Sequence, residues 1–110
     1  MVSQIIAFRR ARTRLFDARC FGEPAWDILL ILYEASFLGR PLSISSIGRR
    51  AQIKPTSMLR WVETLVDWDL TERCSDPHDK RTTRLALTAS GYSKMKSYID
   101  LIRKLDQFDL

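Results

Sequence analysis

One histidine and two cysteines are all that 110 residues provide of the side chains most used for catalysis and metal binding. His78 stands alone among the charges of Ser75-Asp76-Pro77-His78-Asp79-Lys80, with no base-and-nucleophile pair around it. No nucleophile elbow, phosphate-binding loop or dinucleotide fingerprint occurs either, so neither an enzyme nor a cofactor is expected. Cys20, Cys74 and His78 lack metal-ligand spacing, and two cysteines make no disulfide framework. Long apolar runs are missing too. The strongest, Ile28 to Tyr33, is far too short to span a bilayer, and the first residues lack the charged, apolar, small-residue order of a signal peptide. A cytoplasmic protein without a membrane partner is expected. No repeat, low-complexity tract or linker interrupts a length that suits one domain.

What the chain does have is positive charge. Lysine and arginine number 18 against 13 aspartates and glutamates, a net +5 that suits an anionic partner. Lys54 to Thr88 gives that charge a context. Pro55 suits a first helical position, where a missing N–H costs nothing. From there Met58, Trp61, Val62 and Leu65 form an i, i+3, i+4, i+7 stripe that faces a core. The opposite face carries Thr56, Arg60, Glu63 and Asp67, with Ser57 and Thr64 beside it. It is basic near its start and acidic further on, the order a helix would need to present its first turn to DNA. By itself it is better read as an ordinary solvated face. Leu70 to Cys74 and Arg81 to Leu87 then read as two strands, the second alternating Thr83, Leu85 and Leu87 with Arg84 and Ala86. The charged turn between them projects into solvent or towards a polyanion.

Leu65 to Gly91 resembles the wing segment of MarR-type winged helix-turn-helix transcription regulators. That family shows a Gly-Leu after the recognition helix, an Arg closing the first wing strand, a D-x-R-D-x-R tip and a Leu-Thr-x-x-Gly opening the next helix. Here those places hold Asp69-Leu70, Arg73, Asp76 to Arg81, and Leu87-Thr88-Ala89-Ser90-Gly91. Asp69 replaces the usual glycine, and aspartate tolerates the left-handed conformation at modest cost. His78 replaces a frequent wing arginine, which makes that contact weaker or pH-dependent. The resemblance implies a mainly α fold: a winged helix-turn-helix with a two-stranded β wing and N- and C-terminal dimerisation helices. It also implies a homodimer on double-stranded DNA, with a small-molecule effector possible between the terminal helices and the wing domain.

The remainder of the chain fits one winged helix-turn-helix domain over 1–110. An N-terminal helix is expected over 3–21, where Ile5, Phe8, Ala11, Leu15 and Ala18 are spaced by threes and fours among arginines. A core helix over 24–38 is apolar nearly all round and stops at Gly39 and Pro41. The helix-turn-helix spans 43–69, with Ser43 as N-cap, Ile44, Ile47 and Ala51 inward, and Gln52 to Pro55 as the turn. The wing occupies 70–87. The last helix, 88–108, is capped by Thr88 and striped by Tyr92, Met95, Ile99, Ile102 and Leu105, widened by Tyr98, Leu101 and Phe108. One small domain would struggle to cover both terminal helices, so Ile5, Phe8, Leu15, Tyr92, Met95, Ile99, Ile102 and Leu105 are expected at a dimer interface. The family usually continues into a further helix. Some relatives sense oxidants through a cysteine near the end of the first helix. Cys20, beside Arg19, lies in a comparable region, although a small buried residue is the commoner role of a free cysteine.

The expected function is a sequence-specific regulator, a repressor, acting as a dimer on an inverted-repeat operator. Thr56, Ser57 and Arg60 would face base edges and Leu59 a thymine methyl, with Pro55 opening the helix. Arg49, Arg50 and Lys54 would hold phosphates. On the wing, Arg81 would enter the minor groove, held by a charge-assisted hydrogen bond to Asp79, beside His78, Lys80 and Arg84. The alternative is a winged-helix protein-interaction module that uses the apolar terminal helices. Convergence of the arginines and lysines on one surface favours DNA.

Overall fold

Apolar on almost every side, Ala-Trp-Asp-Ile-Leu-Leu-Ile-Leu-Tyr-Glu-Ala-Ser forms α1, Ala25–Ser36, and the other elements pack around it. In this computed structural model the described residues are 10, 14, 15 and 24–107. Arg10, Arg14 and Leu15 are helical, with Leu15 packed on the core. The rest of the helix expected over 3–21, including Ile5, Phe8 and Cys20, lies outside the described residues, as do Phe108 and the side chain of Leu105.

After α1, Gly39 takes φ +74°, a conformation glycine adopts without the penalty of a side chain, and the chain turns into Pro41. The helix-turn-helix follows. Ser43 caps α2, Ile44–Ala51, by accepting the Ser46 N–H at 3.2 Å. Both of its helices end alike. The Ile53 N–H reaches back to the Gly48 carbonyl at 2.8 Å with Gln52 left-handed at φ 58°. At the end of α3, Pro55–Asp67, the Leu70 N–H reaches the Leu65 carbonyl at 3.1 Å with Asp69 at φ 58°. These are Schellman closures made without glycine. Met58, Val62 and Leu65 of α3 are buried, as their spacing predicts.

The wing is larger than the two expected strands. β2, Thr71–Ser75, pairs antiparallel with β3, Thr83–Leu87, and a short β1, Leu42–Ser43, pairs with the other edge of β3. The sheet order is β1-β3-β2. A two-residue strand has no detectable period, so Leu42-Ser43 reads in sequence only as the lead-in to a helix.

The terminal helix α4, Ala89–Gln107, is fixed at its start by a close junction. Thr88 accepts the Gly91 N–H at 2.9 Å and donates its hydroxyl to the Asp69 carbonyl at 2.6 Å. Its own N–H donates to the Leu70 carbonyl at 3.1 Å. A Cβ on Gly91 would collide with that same carbonyl. Further along, Met95 and Tyr98 are buried with Ile28, Leu29, Val62 and Leu85, and Tyr98 meets Trp26 edge-on at 5.2 Å. Met95, expected at a dimer interface, is 0% exposed. Its own chain consumes that part of the stripe, so it offers nothing to a second copy.

Two substitutions test this packing. Gly91→Ala forces α4 away from Leu70, and a loss of about 2 kcal/mol or more is expected in urea unfolding. Thr71 is buried with its hydroxyl unpaired among the described residues. Thr71→Val should therefore leave stability unchanged or raise it by about 1 kcal/mol, and a loss would show that the hydroxyl has a partner.

Candidate nucleic-acid interface

No side chain caps the first turn of α3: Lys54 precedes it in extended conformation and Pro55 opens it. The free N–H groups and dipole of that turn favour an anion. Outward from it the helix forms a ridge of exposed Thr56, Leu59 and Arg60, and Leu59 is 58% exposed although apolar. A groove runs along each side. One, of about 410 Å³, lies between Ser57, Arg60, Trp61, Thr64 and Trp68. The other, of about 620 Å³, separates the helix-turn-helix from the wing and is lined by Pro55, Met58 and Leu59 on one wall and Thr82 and Thr83 on the other. Arg49, Arg73 and Arg81 all line this second groove.

Arg73 lines this groove although sequence reasoning did not name it as a site residue. In a strand it shares a face with Thr71, which is buried, so it points towards the helix-turn-helix. The two-residue period held that signal, but only once Thr71 is known to face inward.

At the wing tip Asp79 shapes the backbone. Its Oδ1 accepts the Arg81 N–H at 3.0 Å and its Oδ2 accepts the Thr82 hydroxyl at 3.0 Å. The Arg81 guanidinium lies 3.8 Å away and is 97% exposed, an ion pair and not the charge-assisted hydrogen bond expected. Aspartate accepts readily from the N–H two residues on, and that local bond wins. Such an exposed pair restrains the guanidinium little. His78 and Lys80 are exposed beside it.

Two residues expected to contact DNA, Arg50 and Arg84, are engaged within the protein. Arg50 Nη2 is 3.3 Å from Glu34 Oε1 of α1, although both side chains remain well exposed. Arg84 is more fully used: Nε and Nη2 donate to Asp76 Oδ2 at 3.1 and 3.0 Å, and Nη1 donates to the Pro41 carbonyl at 3.1 Å. A strand arginine looks outward in sequence because the loop carbonyl and carboxylate that capture it are not its chain neighbours. The His78 N–H, donated to Asp76 Oδ1 at 2.9 Å, and then the Arg84 guanidinium hold the Asp76 carboxyl below the usual carboxylate range. Burial and the neighbouring Glu72 push the Cys74 thiol up, which disfavours its reactive thiolate.

Of the expected dimer residues on α4, Tyr92, Ile99 and Ile102 are half-buried and lean on the core. Among the described residues no group of three or more His, Cys, Asp or Glu side chains could hold a metal, and no helix is long and apolar enough to cross a membrane.

A ridge helix, a preceding helix joined by a tight turn, and a hairpin beside them define a winged helix-turn-helix. The sequence model of the winged helix DNA-binding domain family matches residues 27–91, and the chain belongs to that family. Its architecture is that of the MarR-type regulators. The structure of S. aureus MepR with DNA superposes with a TM-score of 0.77 at 16% identity, covering 98% of this chain and 87% of that one. NadR in complex with 4-hydroxyphenylacetate gives 0.71 at 19%, covering 97% and 71%. The transcriptional regulator PA4135 gives 0.69 at 20%, covering 96% and 71%. At such identities the likeness is one of fold. Comparison with curated protein sequences gave no match.

Asp76 yields a pH prediction. Its folded pKa lies below its unfolded one, so its contribution is complete above the ordinary aspartate value of about 4 and is lost as pH falls through the folded value. In urea unfolding from pH 6 to pH 3, the advantage of wild type over Asp76→Asn should shrink. A gap that stays constant with pH would contradict the assignment.

Proposed function

We propose that this chain is a sequence-specific DNA-binding transcription regulator that acts as a repressor, in a dimer on an inverted repeat. The observation that carries the reading is the exposed α3 ridge standing beside a groove into which Arg49, Arg73 and Arg81 converge. A ridge flanked by two grooves suits entry into a major groove, with arginines placed for the flanking phosphates. Thr56, Ser57 and Arg60 read base edges, Leu59 meets a thymine methyl, and Arg49, Lys54 and the first turn at Pro55 hold the backbone. The wing, with His78, Lys80 and Arg81, lies over the adjacent minor groove. All of 1–110 works as a single winged-helix unit.

The half-exposed Tyr92, Ile99 and Ile102, together with Leu101, give α4 an apolar flank for a second copy. Dimeric binding would then place two α3 ridges on two half-sites. A cavity of about 470 Å³ between α1, β3 and α4, lined by Leu32, Leu85, Leu87 and Tyr92, suits a small effector. It is bounded by the terminal helix α4 and by β3 of the wing. A protein-interaction module remains the competing class. Arg49 and Arg81 meeting in one groove favours DNA over it.

Selection from a random duplex pool at two salt concentrations tests the proposal. The expected result is an enriched inverted repeat whose affinity falls steeply with salt. Arg60→Ala should relax preference at one base position and cost about 1–3 kcal/mol, whereas Arg81→Ala should weaken all duplexes alike and lower the salt slope by about 1. Weak binding without an enriched sequence would overturn the reading and favour a protein partner.

A further inference from the structure

Arg84 is the wing's one partly buried arginine, and it is spent inside the protein. It is the second residue of the central strand β3, paired in register with Ser43 on one side and Cys74 on the other. Its guanidinium spans the sheet from there. Pro41, which accepts at 3.1 Å, stands one residue before β1, and Asp76, which accepts at 3.0 and 3.1 Å, stands one residue after β2. Both partners therefore lie outside the strand ladder. One side chain ties the loop leaving α1 to the root of the wing turn. Asp76 carries the tie onward by accepting the His78 N–H, which sets the first bend of that turn. The β1 edge has only two paired residues, so the ladder holds this loop weakly without the bridge. At the far side of the turn, Arg81 is held by its backbone N–H on Asp79, and the exposed 3.8 Å ion pair to the same carboxylate adds little restraint, so the guanidinium follows wherever the turn points.

We propose that the bridge from Asp76 through Arg84 to Pro41 aims the wing. Arg84 is a positioning residue: it sets how the turn bearing His78, Lys80 and Arg81 meets a duplex, without touching the duplex itself. The proposal rests on the DNA-binding reading. The chemistry needs arginine. Its planar fork serves two acceptors in fixed directions at once, while lysine keeps the charge but presents one compact ammonium. It also predicts a sign opposite to that of simple electrostatics. Asp76→Ala removes a negative charge from the wing, which by charge alone tightens binding to a polyanion. Loss of the bridge weakens it.

The test uses the duplex that wild type selects, with dissociation constants measured over a salt series for wild type, Asp76→Ala, Arg84→Lys, Arg81→Ala and the Arg84→Lys/Arg81→Ala pair. Asp76→Ala and Arg84→Lys should each bind roughly fivefold or more weakly, within the range of coupling between contacting residues. Arg84→Lys should keep the wild-type salt slope, since no phosphate contact is lost, and should lose most of its effect when Arg81 is already alanine. Circular dichroism shows whether Asp76→Ala is folded, and if it is not, Arg84→Lys and the double variant decide. Tighter binding by folded Asp76→Ala, wild-type affinity for Arg84→Lys, or additive effects of Arg84→Lys and Arg81→Ala would each overturn the bridge while leaving the DNA reading intact. If wild type selects no duplex, the DNA reading falls and the bridge falls with it.

Discussion

The carbonyls of Asp69 and Leu70 are the fixed point of this fold. They receive the Thr88 hydroxyl and the Thr88 N–H, and the bare backbone of Gly91 packs directly on the second of them. Four elements meet within those few atoms: the end of α3, the start of β2, the end of β3 and the start of α4. The orientation of the ridge helix is therefore not independent of the wing or of the terminal helix. A side chain at position 91 would separate α4 from the wing, and no neighbouring side chain could yield to relieve it, because the obstacle is backbone.

From that junction the interface is built by rigid parts. α3 is anchored beneath by Met58, Val62 and Leu65, which leaves Thr56, Leu59 and Arg60 outward with little freedom to tilt. The sheet carries Arg73 and Arg81 to the opposite wall of the same groove. Side chains held ready by buried partners lose less entropy on meeting a ligand, and that preorganisation favours a specific over a merely electrostatic contact. Asp79 and Asp76 serve the same end from two places, one shaping the tip through backbone bonds and the other fixing its root through Arg84. Acidic residues so close to a proposed polyanion site are then explained by what they hold.

What was legible in the sequence was local. The α3 stripe, the Ser43 and Thr88 caps, the left-handed Asp69 and the charged turn each follow from the chemistry of a few neighbouring residues, and the wing motifs gave the family resemblance. What was not legible depends on contacts made across the chain. β1 is too short to have a period. Arg84 looks outward until Pro41, 43 residues earlier, is folded beside it. Met95 belongs to the same stripe as Ile99 and Ile102, and only the position of α1 decides that it faces inward. Arg73 failed as a site candidate for the same reason, because its direction depends on which face of β2 meets the helix-turn-helix.

Amide hydrogen exchange with and without the selected duplex tests the central claim most directly, namely that the first turns of α3 and the wing tip form one DNA surface. The account predicts added protection in both 54–60 and 78–82 on the same duplex, fading together as salt is raised. Protection confined to α4, or protection of only one of the two segments, would contradict it.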